Sequence, residues 1–487
     1  MGQAERYPYM SERVKTTEIP LHWVENDRRL DASYYGQENI EARLAIDKIE
    51  EEGVTLTTVG DHIDELFKNS RFKRDYVNKE TGDPYLTPTD MFMFPIKPRK
   101  YVRNPPDDAH AEPGWVLITR SGTVGRTIIA NKPISNYVIS DDLVRAVNHD
   151  DLPAYLYAYL NSWMGQAFLS KDKFGATVKH IDPHQIAEIP VPIFSEISDE
   201  VSKKIRESYN LRESAHLSLK LAENKLDENL KLPEIGPTSV EYYGEEGGKR
   251  VKAFELTSDS LNKRLDASYH IPWVHEAIRQ MEVSEENGLG TMVKLKDIAD
   301  AFVPPRFTRV YVDDPEMGIP MLQGSHVDQI VPQGIKYIWK NMDHIEKYVV
   351  EEGWILVTCS GTIGDLCLVS DRWDNWAATN HLIRIIPSDS GIHPGYLTAF
   401  LQSSYGQVQF DRLIYGGVVD EIGESGELVD DIIIFVPDDG TVEKEIGQMV
   451  LQAYSNRDES FELEQRAVEL IENRIGEQVQ NRAPTGG

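Results

Sequence analysis

"GWVLITRSGTVG" occupies residues 114–125 and "GWILVTCSGTIG" occupies residues 353–364, 239 residues apart (353 − 114). Self-similarity at long period is the signature of a repeated architecture, so the flanks of the two stretches are the test. "RLDASY" stands at both 29–34 and 264–269 (264 − 29 = 235). At the same offset "SRFKRDYV" (70–77) matches "PRFTRVYV" (305–312), so Arg71, Phe72, Arg74, Tyr76 and Val77 recur as Arg306, Phe307, Arg309, Tyr311 and Val312. "GDPYLTPTDM" (82–91) matches "GIPMLQGSHV" (318–327) at offset 236, and "AYLYAYLNSWMGQ" (154–166) matches "GYLTAFLQSSYGQ" (395–407) at offset 241. The offset grows slowly, as loop insertions would make it. One ancestral unit has been duplicated.

Each copy has the same internal order. Turn-rich, strand-like segments come first. "WVLITRSGTVGRTIIA" reads as a β-hairpin, with alternating apolar residues flanking a Ser-Gly-Thr turn and Gly125 supplying backbone freedom beyond it. "PAYLYAYLNSWMGQAFL" carries Leu156, Tyr159, Leu160, Trp163 and Met164 at helical spacing, with Pro153 at its start. "IAEIPVPIF" is extended, and its prolines rule out a central strand. Residues 196–230 then run without Pro or Gly. Ile197, Val201, Ile205, Ser208, Ala215, Leu219, Ala222, Leu226 and Leu230 fall largely in steps of three and four, predicting one amphipathic helix of about 50 Å. Its counterpart spans 442–478, where Tyr209, Arg212, Ala222, Leu226 and Leu230 recur as Tyr454, Arg457, Ala467, Ile471 and Ile475 at offset 245.

A lone helix of this length with an apolar seam is unstable in water until the seam is covered. The duplicated helix has the same seam, and antiparallel pairing of the two relates the globules by an approximate two-fold axis. The globules are then expected at opposite ends of a rod whose length, about 1.5 Å per residue, sets their separation. Two similar heads in inverted orientation suit a ligand with inverted half-sites, of which duplex DNA is the obvious one.

Composition bounds the rest. A chain of 487 residues is too long for one core and should divide into two or more domains. No run of about 18 apolar residues could span a bilayer, and "MGQAERYPYM" lacks an apolar signal core. Arg6 stands where a myristoylation motif wants Ser or Thr. Two cysteines cannot build a disulfide framework or a four-ligand zinc site. A cytoplasmic protein with no membrane contact is expected. The formal charge of −29 argues against diffuse binding to nucleic acid, although a local basic face is compatible with it.

The repeated "GWxLxTxSGTxG"-like hairpins, each followed by a long helix, resemble the specificity subunit of Type I restriction–modification systems, over nearly the whole chain. The acidity and an N-terminal extension of about 25 residues depart from that pattern. The resemblance implies a non-catalytic subunit without cofactors, in which each target-recognition domain reads one half of a split site in double-stranded DNA. It implies that the helices set the gap and dock two methyltransferase subunits, and through them restriction motor subunits. The fold class expected is mixed α/β (α+β globules): two tandem recognition domains separated by two long helices that form an antiparallel coiled coil, a pseudo-two-fold internal repeat. The expected boundaries are 1–195 for the first domain with its extension, 196–232 for the first spacer helix, 233–438 for the second domain, and 439–487 for the second helix and tail.

Candidate contacts follow from charge. Residues 70–103 hold eight Lys or Arg (Arg71, Lys73, Arg74, Lys79, Lys97, Arg99, Lys100, Arg103) and four acids, so the first globule can offer a positive face. Arg120 projects from the hairpin, and Lys171, Lys173 and Lys179 follow in "KDKFGATVKH". The second globule is poorer, with Arg306, Arg309, Lys336, Lys340 and Arg412. Gln323, Ser325, Asn380 and His381 are its candidate polar readers, and Thr87 and Thr89 stand where Gln323 and Ser325 do. Arg bidentate to guanine and Asn or Gln to adenine are the pairings that base reading uses. Ser121, Thr123, Ser360 and Thr362 of the hairpin turns read equally well as DNA contacts or as residues that satisfy the turn backbone. Arg71, Arg74, Arg306 and Arg309 read as DNA contacts because both copies keep them, with surface ion pairs as the bland alternative. Tyr76 and Tyr311 read as core. The second long helix carries nine acids and four bases over 442–478, a face for a basic partner or simply for solvent.

Catalytic groups are missing. "NPPD" (104–107) has Asp107 where the loop of adenine methyltransferases places an aromatic residue to stack on the flipped base. "PDDGTVEKE" (437–445) lacks the acidic spacing of a metal nuclease, and "GGKR" (247–250) is no phosphate loop. The thirteen histidines show no ligand spacing, and Cys359 and Cys367 are expected to pack in the hairpin. The second reading, from another class, is an acidic protein–protein scaffold or DNA-mimicking regulator with the same architecture. The basic islands favour DNA reading over it.

Overall fold

The structure, a computed structural model, describes residues 18–28, 30, 34–149, 151–171, 180–233, 235, 253–261, 265–267, 269–388, 391–414, 421–422 and 429–480. Half of the repeated hexamer's residues therefore lie outside the described residues, as do Lys173, Lys179 and the "GGKR" stretch. In the first half, α1 (Leu21–Asp27) and α2 (Gln37–Glu51) precede β1 (Thr55–Thr58), β2 (Glu65–Phe67), β3 (Tyr76–Val77), β4 (Asp83–Leu86) and β5 (Lys100–Val102). The chain continues through β6 (Val116–Thr119), β7 (Thr127–Ile129), α3 (Lys132–Ser135), β8 (Val138–Ile139) and β9 (Leu143–Val147). Helices α4 (Ala154–Asn161), α5 (Trp163–Lys171) and α6 (Pro183–Ala187), strand β10 (Pro190–Ile193) and the long α7 (Ser195–Leu230) complete this half.

The second half opens with α8 (Pro272–Glu286), β11 (Gly290–Lys294), β12 (Ala299–Phe302), β13 (Tyr311–Val312), β14 (Gly318–Leu322) and β15 (Lys336–Trp339). It proceeds through β16 (Ile355–Thr358), β17 (Leu366–Leu368), β18 (Ala377–Ala378), β19 (Leu382–Pro387), α9 (Pro394–Gln402), α10 (Ser404–Asp411), β20 (Ile433–Pro437) and the long α11 (Gly440–Gln480).

Strand order repeats sheet for sheet. The orders β2-β9-β6-β7, β3-β5-β4-β8 and β1-β10 recur as β12-β19-β16-β17, β13-β15-β14-β18 and β11-β20. The hairpins form as the alternation requires: Val116, Leu117 and Ile118 pair with Ile129, Ile128 and Thr127, and Ile355, Leu356 and Val357 pair with Leu368, Cys367 and Leu366. Their turns need glycine, since Gly122, Gly125, Gly361 and Gly364 all have φ between 75° and 94°. Cys359 and Cys367 are free and buried in the second hairpin. The proline-bearing β10 pairs only with β1, which keeps it out of a central position.

The helical stretch after Pro153 differs from the simple periodic reading. It breaks at Ser162, whose hydroxyl bonds the Tyr159 carbonyl (2.6 Å) and accepts from the Gly165 amide (3.3 Å), so α4 ends and α5 starts. A Cβ on Gly165 would lie 2.2 Å from the Tyr159 carbonyl oxygen, so this close approach needs glycine. Gln166 then ties the pair of helices to the hairpin by donating to the carbonyls of Gly125 (3.0 Å) and Leu160 (2.7 Å). Gln407 does the same to Gly364 and Leu401.

Helix α7 has 36 residues, about 54 Å at 1.5 Å each. Its buried seam contains Val201, Ile205, Ser208, Ala215, Leu219, Ala222, Leu226 and Leu230, as the spacing predicts, and adds Arg212 and His216. It runs antiparallel to α11. Glu196 meets Arg474, Ser208 meets Ser460 and Lys225 meets Glu445, one number rising as the other falls; Arg212 reaches back along the partner helix to Glu464. The rod is also the core of both heads: Val201, Ile205, Ala467, Ile471 and Ile475 pack with the first, while Leu219, Leu226, Leu230, Ile446 and Val450 lie in a larger core that holds the second head together with Leu117, Ile128 and Leu143 of the first. Among the described residues no helix is long and apolar enough to cross a membrane.

One expectation is corrected. Each head does cover its own end of the rod, but the heads are not held apart. Met93 forms an antiparallel bridge with Gln329, the Phe94 amide donates to the Asp328 carbonyl (2.7 Å), and the Ile330 amide donates to the Phe92 carbonyl (2.8 Å). Met93 and Gln329 are equivalent positions (329 − 93 = 236), so a segment pairs with its own duplicate. That is the local mark of a two-fold axis.

Candidate nucleic-acid interface

Strand β14 lies parallel to β18, with Leu322 opposite Ala378, and in the first head Leu86 of β4 lies opposite Ile139 of β8. The residues that follow β18 and β8 are therefore equivalent: Asn380 stands where Asp141 does, and His381 where Asp142 does. Both turns face the loop that carries the paired arginines. Charge decides what happens next.

In the second head Arg309 donates to the Asn380 side-chain oxygen (3.0 Å), its Nε is buried without a hydrogen-bond acceptor, and its guanidinium lies 5.6 Å from the Phe307 ring centre. Arg306, Phe307, Arg309, Tyr311, Asn380 and His381 together line an open cleft of about 440 Å³. A smaller cavity adjoins it and adds Cys359, Ser360 and Glu421. The cations of this lining are Arg306 and Arg309, and Glu421 stands in the adjoining cavity.

In the first head Arg74 is ion-paired to Asp141 and lies 3.6 Å from Asp142. Burial works against its charge, yet the Asp141 carboxylate holds the guanidinium protonated well above its ordinary range. Here it is Arg74 alone that faces the two acids. The island at 70–103 is rich in cations, but several of them meet acids that come from residues far along the chain. Arg120, half-buried, donates to Asp182 (3.2 and 3.3 Å), which also binds Lys68. Arg99 reaches Asp328 (3.0 Å) and Asp365 (3.4 Å), and Arg103 lies 3.8 Å from Asp75. Arg71 and Lys73 remain exposed on the loop before β3.

The other candidates divide similarly. The Thr87 hydroxyl and amide bond Asp90 (2.7 and 2.8 Å), so this side chain is used by its turn, while Thr89 beside it is exposed. Gln323 caps the equivalent turn with His326, and Ser325 is exposed. Ser121 bridges His180 and Ser360 bridges Glu421, whereas Thr123 and Thr362 are exposed at the hairpin tips. Arg412 sits 5.2 Å over the Tyr269 ring, outside the cleft lining. Tyr76 and Tyr311 are not core. They are 49% and 44% exposed on short edge strands, and Lys100 and Lys336 lie 5.1 and 5.2 Å over their rings. A cation over an aromatic face in both copies is a surface feature.

The reading of residues missed one device. Arg384 in "LIRII" (382–386) and Arg145 in "LVRAV" (143–147) interrupt apolar strands at equivalent positions, and both are fully buried. Burial lowers each to about 10. Arg384 donates to the carbonyls of Ala378 (2.6 Å), Thr379 (2.8 Å) and Leu382 (2.5 Å), bracketing the turn that displays Asn380 and His381. Among the described residues the Arg145 guanidinium has no hydrogen-bond partner. The sequence signal was available: a cation in mid-strand, kept in both copies.

Residues 290–422 match the family described as the Type I restriction modification DNA specificity domain. No curated protein matches the chain. Among solved structures, the chain is similar to a Type-I restriction-modification system S subunit from M. genitalium (12% identity, 88% of this chain and 96% of that one, TM-score 0.36). It is also similar to the HsdS subunit from Thermoanaerobacter tengcongensis (14% identity, 88% and 97%, TM-score 0.26). A third is a chain from a study of complex assembly and conformational transition of the type I R-M system (13% identity, 88% and 98%, TM-score 0.28). The matched residues run over the second head from β11 to the edge of its cleft, and the family they match is the one that the duplicated motifs resemble.

Proposed function

We propose that the chain is the DNA-reading specificity subunit of a Type I restriction–modification complex, non-catalytic itself, with each head reading one half of a bipartite site. The observation that carries this is the duplication about a two-fold axis, with Met93 bridging its own duplicate Gln329, because a protein two-fold matches the two-fold of duplex DNA. The cleft of Arg306, Arg309, Asn380 and His381 supplies donors for phosphate or guanine and an amide for adenine. Arg71, Lys73, Thr89, Thr123 and Thr362 extend the surface. The rod, acidic along α11, is the face for methyltransferase subunits, two by the symmetry. The acidic scaffold or DNA mimic is the weaker reading despite the charge of −29, since a mimic gains nothing from two arginines lining one cleft.

The test is to sequence native DNA for methylated bases in cells that carry the chain with its methyltransferase, and in cells that lack only the chain. Methylation at a bipartite motif is expected to vanish with the chain. Unchanged methylation without it contradicts the reading.

A further inference from the structure

The contact between the heads does more than mark the axis. On its first-head side stand Phe92, Met93, Phe94, Lys97 and Arg99. On its second-head side stand Asp328, Gln329, Ile330 and Asp365. Arg99 binds Asp328 and Asp365, and half-buried Lys97 feels the charges of Asp365, Glu223 and Asp328. A duplicated unit meeting itself would set like against like. Here the copies have diverged instead: Asp328 is equivalent to Phe92 (offset 236) and Asp365 to Arg126 (offset 239). Cations lie on one side and carboxylates on the other. The contact is also anchored to the rod, since Phe94 packs 5.2 Å from both His216 of α7 and Tyr454 of α11.

We propose that this clasp, together with the rod, sets the gap between the two DNA half-sites. The proposal rests on the bipartite reading above. Each head packs along the rod, and one apolar core joins first-head residues such as Leu117 and Ile128 to the second head. Apolar packing is non-directional, whereas the paired charges and the bridge of the clasp fix a register between the heads near the axis and so define the distance between the Arg74 and Arg309 surfaces. The clasp residues touch no base; they are positioning residues for spacing.

The experiment selects duplexes from a random library with the full chain in complex with its methyltransferase, and sequences the bound fraction. Wild type is expected to return two half-sites at one gap. Arg99→Glu, which sets a carboxylate against Asp328 and Asp365, is expected to return the same half-sites at two or more gaps. Adding Asp328→Lys and Asp365→Lys should restore one gap. Bridging residues are near enough for a disulfide, so Met93→Cys with Gln329→Cys in the Arg99→Glu background should give one gap when oxidised and several when reduced. That pair keeps the test usable if the triple charge reversal folds poorly. Both half-sites at a single unmoved gap in Arg99→Glu overturn the clasp, whereas absence of half-sites from wild type overturns the bipartite reading itself.

Discussion

The two heads place a guanidinium at the same position and face it with different partners. In the first, Arg74 meets Asp141 and Asp142; in the second, Arg309 meets Asn380 and is lined up with His381 in an open cleft. Backbone, strand order and hairpin are duplicated, yet one guanidinium is met by carboxylates and the other by an amide. The difference teaches that in this chain the fold conserves where charge is displayed, while two residues after a short strand decide whether it is available. The same holds in the rod. Arg212 and Arg457 are equivalent, but Arg212 is paired with Glu464 (2.5 Å), which also accepts from the Tyr157 hydroxyl (3.0 Å). Arg457 instead sits among Phe94, Trp373 and Tyr454, with Asp458 and the Ser370 hydroxyl as polar partners. The equivalent of Glu464 is Leu219, so the ion pair of Arg212 has no counterpart at Arg457.

The largest effect that sharpens this comparison is expected at Arg212. Arg212→Ala leaves Glu464 buried and unpaired, and should cost about 3–5 kcal/mol of stability, read as a lowered Tm, whereas Arg212→Met with Glu464→Leu should be close to neutral. Equal losses from the two variants would show that packing, not the charge pair, holds this end of the rod.

A smaller effect separates the paired buried arginines. Arg384→Met strands carbonyls that now accept its guanidinium and should cost about 1–3 kcal/mol, measured by denaturant unfolding. Arg145→Met removes a buried cation with no hydrogen-bond partner among the described residues, and should be neutral or stabilising. The reverse order would place the structural weight in the first head.

Much of the fold was legible because periodicity and self-similarity are local in sequence. The hairpins, the proline-limited strands and both long helices follow from residues that contact near neighbours along the chain. The helix break at Ser162 was visible in principle, as a serine three residues before a glycine. The candidate site was legible only in part. Arg306, Arg309, Asn380 and His381 were found, but counting charge over 70–103 could not see Asp141, Asp142 or Asp182, which fold back from 38 or more residues downstream of Arg103 (141 − 103). Nor could periodicity show that Tyr76 lies on an edge strand with its ring under Lys100. Long-range charge pairing is set by sheet order, and sheet order is what a linear reading lacks.

The central claim, that the Arg309 site of the second head carries more of the DNA affinity than the Arg74 site of the first, is tested by exchanging their partners. Asn380→Asp with His381→Asp copies the first head into the second; Asp141→Asn with Asp142→His does the opposite. Binding of the full complex to its bipartite duplex is measured against salt concentration. The first exchange is expected to weaken binding about tenfold, worth about 1.4 kcal/mol, and to flatten the slope of log affinity against log salt by about one contact. The second exchange is expected to strengthen binding and steepen that slope. Equal responses of the two heads, or no change in either slope, would contradict the claim.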